Sequence, residues 1–207
     1  MRLGKVTVTK GFLFLAALLL YRDRSGAVWQ GFLACAVHEL GHWAVLRGFG
    51  KPVRHIRVSV FGAGMEVGSG LSYGQEFCVA AAGPLANLTL ARLTCFLPGL
   101  QLFAGVNLVL GIFNLLPVRQ LDGARMLRSL LHLLCPEETA QRMSGGVDVL
   151  CSVIFVLLGL CAAAAAGNVT LCLVCLWLLK RPGAEKIWKF RKKERKRSCH
   201  AVVKRLK

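Results

Sequence analysis

The segment AVHELGHWAVL, residues 36–46, places three ionisable residues inside an otherwise apolar run: His38, Glu39 and His42. Residues four apart lie one turn apart on the same face of a helix, so the two imidazoles can bind one metal ion with the carboxylate beside it. H-E-x-x-H is the spacing in which two histidines bind zinc and the glutamate is a general base for the attacking water. Because an ionisable residue inside a membrane segment costs about 2.5–3.5 kcal/mol or more, these three residues are expected to be functional.

The composition around this segment is that of a membrane protein. Hydrophobic residues make up 55% of the 207 residues, charged residues make up 18%, and the mean hydropathy is +0.55. This bias is typical of membrane proteins rather than soluble enzymes. Of the formal net charge of +17, a share of +10 lies in residues 181–207, so the basic residues form a tail. Such a tail favours contact with anionic lipid, and no nucleic-acid partner is expected.

Apolar segments predict the helices that must position the ionisable residues. Six of them are expected to span a membrane: residues 11–21, 27–46, 76–97, 100–118, 147–166 and 169–180. A membrane helix needs about 20 residues, so the first and the sixth are short. With six spans, 24 of the 27 Lys and Arg residues fall on one side and two on the other. Lys and Arg concentrate on the cytoplasmic side, so both termini are predicted to be cytosolic.

The connection between the second and third segments has the pattern of a β-hairpin. Ile56, Val58 and Val60 alternate with polar residues, and a glycine-rich turn and a second alternating stretch follow, up to about residue 67. The predicted fold class is therefore an α-helical polytopic membrane protein, with six transmembrane helices and a short β-hairpin between the second and third. Residues 1–180 are predicted to form one domain, and residues 181–207 a basic cytosolic tail.

Two local patterns have an alternative interpretation. The run FLFLAALLL could be the core of a secretory signal, but Tyr21 and Arg22 follow it in place of a small-residue cleavage site. Cys172 and Cys175 form a C-x-x-C that lies in an apolar run without the βαβ context of a redox motif. We therefore predict an uncleaved first span and no disulfide.

A catalytic zinc site needs a third protein ligand, and three residues are candidates: His55, His132 and Asp122. The second and fourth predicted spans run in the same direction through the membrane. At 1.5 Å per residue, His38 lies past the midplane, and the end of the fourth span brings Asp122 to that same half. Asp122 is therefore predicted as the third ligand, and the other two residues as surface histidines.

Three motifs together resemble those of the site-2 protease family of intramembrane zinc metalloproteases: HELGH at 38–42, GPLAN at 83–87 and NLLPVRQLDG at 114–123. The resemblance covers about residues 5–180, and it is closest to the stage IV sporulation protein FB branch. Arg119 and Gln120 stand where hydrophobic residues or proline are more usual in the family. This difference affects what is expected of the substrate entrance and leaves the expected metal site unchanged.

The resemblance implies a role for each matching residue. His38, His42 and Asp122 would hold one zinc ion per chain, and Glu39 would activate the water. Asn114 would stabilise the tetrahedral oxyanion, with a helix–helix hydrogen bond as the alternative role. The GPLAN residues, among them Gly83, Pro84 and Asn87, are expected to serve packing and helix distortion rather than catalysis.

The function implied by the resemblance is regulated intramembrane proteolysis. The expected protein is an integral membrane zinc endopeptidase of the cell membrane or forespore membrane, which cleaves a membrane-associated protein such as a pro-sigma or anti-sigma factor. The bilayer and this substrate are the expected partners; an inhibitory membrane partner is left open, and no oligomeric state is predicted. The alternatives are a catalytically silent membrane scaffold of the same fold and a multispan transporter that uses the ionisable residues as an ion path.

Overall fold

Helices dominate the protein, and a small sheet accompanies them. The computed structural model describes residues 2–3, 6–59, 62–67 and 70–166. In these residues the elements, in chain order, are β1 (Arg2–Leu3), β2 (Val6–Val8), α1 (Lys10–Arg22), α2 (Ala27–Gly48), β3 (Val53–Ser59), β4 (Gly62–Val67), α3 (Tyr73–Thr94), α4 (Gln101–Asn114), α5 (Asp122–Leu134) and α6 (Glu137–Ala166).

The chain divides into two units, Met1–Cys151 and Ser152–Lys207. The first contains the sheet, α1 to α5 and the beginning of α6. Of the second, the structure describes the end of α6, residues 152–166. The contacts between the sheet and helices α1 to α5 lie within the first unit.

The sheet has four strands in the order β1-β2-β3-β4. The predicted hairpin is confirmed: β3 pairs with β4 in antiparallel fashion, with Ile56 opposite Met65. A pairing that the sequence did not predict lies on the other side of β3, where β2 runs parallel to it and Val6 lies opposite Ile56. Thr7 Oγ1 and His55 Nε2, 2.8 Å apart, join the same two strands through their side chains. Because β3 has a partner on each side, it is an interior strand, and β4 forms an edge among the described strands.

Helix α3 lies at the centre of the helical bundle, where it contacts α2, α4 and α5, while α2 also contacts α4. Small residues allow this close approach. A Cβ atom at Gly41 on α2 would lie 2.7 Å from the carbonyl oxygen of Ala82 on α3, closer than real Cβ contacts. Ala34, Ala80 and Ala104 are among the buried residues of the three helices, with at most 5% of each exposed. Helices in a membrane pack through small residues of this kind.

Local sequence explains how α3 begins and where it is distorted. Ser72 and Gln75 form a capping box. The Ser72 hydroxyl accepts a hydrogen bond of 3.2 Å from the backbone N–H of Gln75, and the Gln75 side-chain oxygen accepts one of 3.1 Å from the backbone N–H of Ser72. Pro84 lies inside the helix. It cannot donate to the carbonyl of Ala80, so the hydrogen-bond ladder is interrupted there.

The predicted helical segments match the structure in part. The first four correspond to α1 to α4, and the fifth lies within α6, which begins ten residues earlier than predicted, at Glu137. The sixth, residues 169–180, lies outside the described residues, as does the basic tail. Helix α5 was not predicted, because its 13 residues include two arginines and are too few and too polar for a span.

Two helices in the described part of the chain are long and apolar enough to cross a membrane, as judged by length and composition: Tyr73–Thr94 and Glu137–Cys161. Helix α4 is apolar but has 14 residues. Helix α2 has the same length as α3, 22 residues, but it carries His38, Glu39 and His42.

Candidate metal centre

Two helices bring the three predicted metal ligands together. Helix α2 presents His38 and His42 one turn apart, and α5 begins with Asp122. Asp122 Oδ2 lies 2.9 Å from His38 Nε2 and 3.1 Å from His42 Nε2. The two Nε2 atoms are 3.0 Å apart. All three residues are buried, with 7% of each exposed.

The hydrogen-bond partner of Nδ1 in each imidazole determines which ring nitrogen carries the proton. His42 Nδ1 lies 2.6 Å from the carbonyl oxygen of Val79. A carbonyl oxygen only accepts, so Nδ1 is the donor. His38 Nδ1 lies 2.8 Å from Asn87 Oδ1, which is also an acceptor. In each neutral imidazole the lone pair is then on Nε2, the atom that faces Asp122.

The donor set of this cluster fits a divalent cation. Two imidazole lone pairs and a carboxylate oxygen converge within about the length of one hydrogen bond of one another, so three acceptors face each other in a buried space. A single proton would satisfy one of these contacts, whereas one cation between the three atoms satisfies them all. Two histidines and a carboxylate are ligands that zinc accepts, and three protein ligands leave a fourth position open for reactants.

A glycine provides the space for the two rings. A Cβ atom added to Gly83 on α3 would clash with Nε2 of His42, and it would lie 2.6 Å from Cε1 of the same ring and 2.8 Å from Cε1 of His38. The backbone of α3 therefore forms a wall of the centre, directly against the edges of the imidazoles that face the ligand position. Any larger residue at 83 would fill that position.

Asp122 is also held in place from behind. Its second oxygen, Oδ1, accepts a hydrogen bond of 3.0 Å from Nη1 of Arg125 on the next turn of α5. A Cβ atom at Gly123 would clash with the Leu115 carbonyl and lie 2.5 Å from the carbonyl oxygen of Leu116, so the start of α5 packs directly on the chain after α4. Oδ2 is left to face the histidines. An aspartate at the first position of a helix also interacts favourably with the helix dipole.

Glu39 lies beside the ligands without taking part in the cluster. Its side chain is partly buried, and it is close enough to His38, His42 and Asp122 to interact with them electrostatically. Among the described residues, its carboxylate has no hydrogen-bond partner. A carboxylate that is near a metal centre and not engaged elsewhere is available to exchange protons with a reactant.

Asn114, the predicted oxyanion residue, is the last residue of α4. Its side-chain amide donates to the carbonyl oxygen of Leu110 at 3.0 Å, which occupies one of its two N–H groups. The two alternative third ligands do not join the cluster. His55 contacts Thr7 in the sheet, and His132 Nδ1 lies 2.8 Å from the Arg128 carbonyl oxygen on α5.

Sequence reasoning missed four residues that touch the ligands directly or through one neighbour: Gly83, Asn87, Asn107 and Arg125. Gly83 and Asn87 were expected to serve packing, yet each contacts a histidine of the centre. Asn107 is fully buried and accepts from Asn87. The sequence could have pointed to Asn107 through its polar side chain, which lies within the apolar run of residues 100–118.

Part of the chain is similar to known peptidases. Residues 95–158 match the model of the family described as Peptidase family M50. Stage IV sporulation protein FB from Bacillus subtilis is 29% identical over 150 residues, which cover 68% of this chain and 52% of that protein. A Synechocystis protein provisionally named a zinc metalloprotease is 34% identical over 113 residues, or 48% of this chain and 30% of the relative. The chain thus spans about half the length, or less, of these curated relatives.

A solved structure shares the fold. The site-2 protease from Methanocaldococcus jannaschii superposes with a TM-score of 0.64 and covers 86% of this chain and 89% of its own, at 22% sequence identity. A zinc metalloprotease from the same organism is 26% identical over 158 residues, or 71% of this chain and 45% of that protein. Two of these relatives are named as zinc metalloproteases, one of them provisionally, and His38, His42 and Asp122 form a candidate metal site in this chain. The resemblance inferred from the three motifs is thereby confirmed: residues 95–158 match Peptidase family M50, and the fold is similar to that of a site-2 protease.

Proposed function

We propose that the protein is an intramembrane zinc endopeptidase in which His38, His42 and Asp122 hold the metal. The observation that carries the proposal is the convergence of two Nε2 lone pairs and one carboxylate oxygen in a buried space bounded by Gly83. Bound there, zinc would supply a Lewis acid that polarises a scissile carbonyl and makes water more acidic.

The residues around the centre have the chemistry that peptide hydrolysis requires. Glu39 takes the proton of the attacking water and returns it to the leaving nitrogen, a role that typically contributes about 10²–10⁴-fold to the rate. The second N–H of the Asn114 side chain, which the Leu110 carbonyl does not occupy, would donate to the developing oxyanion. Asn114 would then be fixed in place by one hydrogen bond and act through the other.

Exposed apolar side chains support a location in the bilayer. Phe14 of α1 is 73% exposed, and several large apolar residues of α6 are also about half exposed: Val149, Leu150, Ile154, Leu157, Leu158 and Leu160. Apolar surfaces of this extent are unusual on a soluble monomer and are expected for helices that face lipid. We place both termini in the cytosol, with residues 1–180 as the protease domain and 181–207 as a tail that contacts anionic lipid.

The substrate would be a membrane-associated protein such as a pro-sigma or anti-sigma factor, cleaved near the cytosolic face. The motif resemblance to the stage IV sporulation protein FB branch implies this class, and the protein of that name from Bacillus subtilis is 29% identical to this chain over 150 residues. Coexpression with tagged candidates of both kinds, scored for a shortened product, would identify it. A product that forms equally with Glu39→Gln would point to a host protease instead.

The edge strand β4 offers a way to present a scissile bond. A helical substrate must unwind before cleavage, and an unwound segment can add to an exposed sheet edge through main-chain hydrogen bonds. Proline substitutions in β3 would be an ambiguous test, because Ile56 pairs on both sides and a proline there would disrupt the sheet itself. Proline at Met65 in β4 should reduce cleavage at unchanged zinc content; full cleavage by that variant would exclude the pairing.

Glu39→Gln is the decisive test of the catalytic proposal. The amide has the shape of the carboxylate but cannot accept the proton, so the variant should retain zinc and lose cleavage by about 10²-fold or more. His38→Ala should lose zinc as well as cleavage. A catalytically silent scaffold predicts that Glu39→Gln preserves every partner-dependent activity, and a transporter predicts altered ion flux instead.

A further inference from the structure

A chain of buried hydrogen bonds leads from helix α4 to one of the metal ligands. The Asn107 side chain on α4 accepts from Asn87 Nδ2 on α3 at 2.8 Å, and Asn87 Oδ1 is 2.8 Å from His38 Nδ1 on α2. Asn87 and Asn107 are both 0% exposed. Buried polar groups are costly unless they are paired, and here both amides are paired.

Two backbone carbonyls, one bound to each asparagine, fix the direction of every hydrogen bond between these side chains. Asn107 Nδ2 donates to the carbonyl oxygen of Phe103 at 2.9 Å, so its Oδ1 must face Asn87. Asn87 Nδ2 donates to the carbonyl oxygen of Ala34 at 3.0 Å with its other hydrogen. Because a carbonyl cannot donate, neither amide can be turned around without losing bonds.

This fixed direction determines the state of His38. Both hydrogens of Asn87 Nδ2 are in use, and its Oδ1 can only accept, so the His38 ring must carry its hydrogen on Nδ1. Nε2 then keeps its lone pair and faces Asp122. The opposite tautomer would place a hydrogen where a metal ion has to bind. The ring is also held in one orientation, since rotation about its bond to Cβ would break the contact with Asn87.

We propose that Asn87, held by Asn107, is a positioning residue that sets the tautomer and orientation of His38 for metal binding. The inference rests on the proposed zinc site. Outer partners of ligand histidines commonly have this effect, and their loss typically weakens metal affinity by about 10- to 100-fold. The pair of asparagines also joins α2, α3 and α4, so the test must separate positioning from packing.

Zinc affinity of the detergent-purified full chain, measured by competition with a chromophoric chelator, provides a readout that does not depend on cleavage. Asn87→Leu removes the acceptor for His38 Nδ1 and should weaken zinc binding about 10- to 100-fold. Asn87→Asp keeps the acceptor but loses both donors and buries a charge. It should therefore bind zinc much more tightly than Asn87→Leu, even though it melts at a lower temperature. A merely structural role predicts that affinity follows the melting temperature.

Thr94→Val is the matched control. Thr94 is buried on the same helix, and its hydroxyl donates to the carbonyl oxygen of Leu90 at 2.8 Å, away from the centre. Its loss should leave zinc affinity unchanged. Asn107→Leu removes one of the two acceptors for the Asn87 amide and should weaken zinc binding less than Asn87→Leu. Asn107→Leu also keeps the inference testable if Asn87→Leu does not fold. Unchanged zinc affinity in Asn107→Leu would show that Asn107 on α4 does not help to hold Asn87 in place.

The outcomes separate this inference from the function on which it rests. Wild-type affinity in Asn87→Leu, or equal losses in Asn87→Leu and Asn87→Asp, would overturn the positioning role while leaving the zinc site intact. Undiminished zinc binding by His38→Ala would instead overturn the proposed metal site, and the inference with it. The electronic spectrum of the Co²⁺-substituted protein should change in Asn87→Leu and not in Thr94→Val.

Discussion

Gly83 of α3 lies directly against the imidazole of His42. No side chain separates the α3 backbone from the ring, and an added Cβ atom would lie 2.6 Å from its Cε1. Helix α3 thus contributes a surface to the candidate metal centre at this point, in addition to the Val79 carbonyl that binds the other edge of the same ring. The centre is therefore enclosed by three helices, although its ligands come from two.

Replacement of this glycine should affect the metal rather than the fold. In Gly83→Ala the methyl group would displace both imidazoles, and we expect zinc affinity to fall about tenfold or more, the range seen when ligand orientation is lost. The same change at Gly31 on α2, where an added Cβ meets nothing within 4 Å, is the control. Zinc affinity, measured by competition with a chromophoric chelator, checks both variants, and native affinity of Gly83→Ala would contradict the geometry.

Arg125 should contribute to zinc affinity through the aspartate it binds. Arg125→Gln removes the charged partner of Asp122 Oδ1, and we expect zinc affinity to fall about tenfold, since outer partners of ligands typically contribute this much or more. Arg125→Lys keeps the charge but not the planar donor group, so it should be intermediate. Arg142→Gln, the same change of charge at an exposed residue of α6, should have no effect. If Arg142→Gln and Arg125→Gln lowered zinc affinity equally, the change in net charge would explain the result.

Removal of the metal should destabilise the beginning of α5. A ligand that binds only the folded state stabilises it by about 2.7 kcal/mol at 100 times its dissociation constant, so chelation should lower the melting temperature. Without a metal, the three acceptors repel one another, and hydrogen exchange should increase at the start of α5, near Asp122. His42→Ala should melt at one temperature with or without chelator. Chelator sensitivity that persists in His42→Ala would indicate a second metal site.

Asp148 should control the order of the chain just before Asp122. Its carboxylate accepts from the Arg119 backbone amide at 2.7 Å and pairs with Arg119 Nε at 3.3 Å. In Asp148→Ala the Arg119 amide loses its acceptor, at a cost of about 1 kcal/mol, and its hydrogen exchange should accelerate. Asp148→Asn retains an acceptor for the amide and should exchange at close to the native rate. Equal exchange in both variants would show that the ion pair, not the backbone contact, orders this segment.

The convergence of His38, His42 and Asp122 could be predicted from the sequence, because their spacing and topology are enough to bring them together. Helical periodicity places the two histidines of H-E-x-x-H on one face, and the position of Asp122 follows from the direction of two apolar segments. Asn87 could not be assigned in this way. The role proposed for Asn87 depends on its contact with His38 Nδ1 on another helix. The small residues around it on α3 predict close helix packing, but they do not identify the residue against which Asn87 packs.

Periodicity also explains the differences in the fold. The hairpin of β3 and β4 could be predicted from alternation over residues 53–67, whereas the three residues of β2 are too few to show a period and adjoin an apolar run. Helix α5 was missed because apolar content was the criterion for a span, and its polar face includes Arg125 and Arg128. An amphipathic helix of this kind can be recognised from the periodicity of its apolar residues, but not from its mean hydropathy.

The parallel pairing of β2 with β3 has a consequence for how the chain enters a bilayer. Val8 and Val58 are side by side, so the chain that leaves the sheet through α1 must return to it through α2. If both helices cross the bilayer, as the predicted six-span arrangement requires, they must insert as one hairpin before β2 and β3 can pair. Reversal of α1 alone would then separate the two strands onto opposite faces of the membrane, so in that arrangement the sheet forms only when α1 and α2 run in opposite directions.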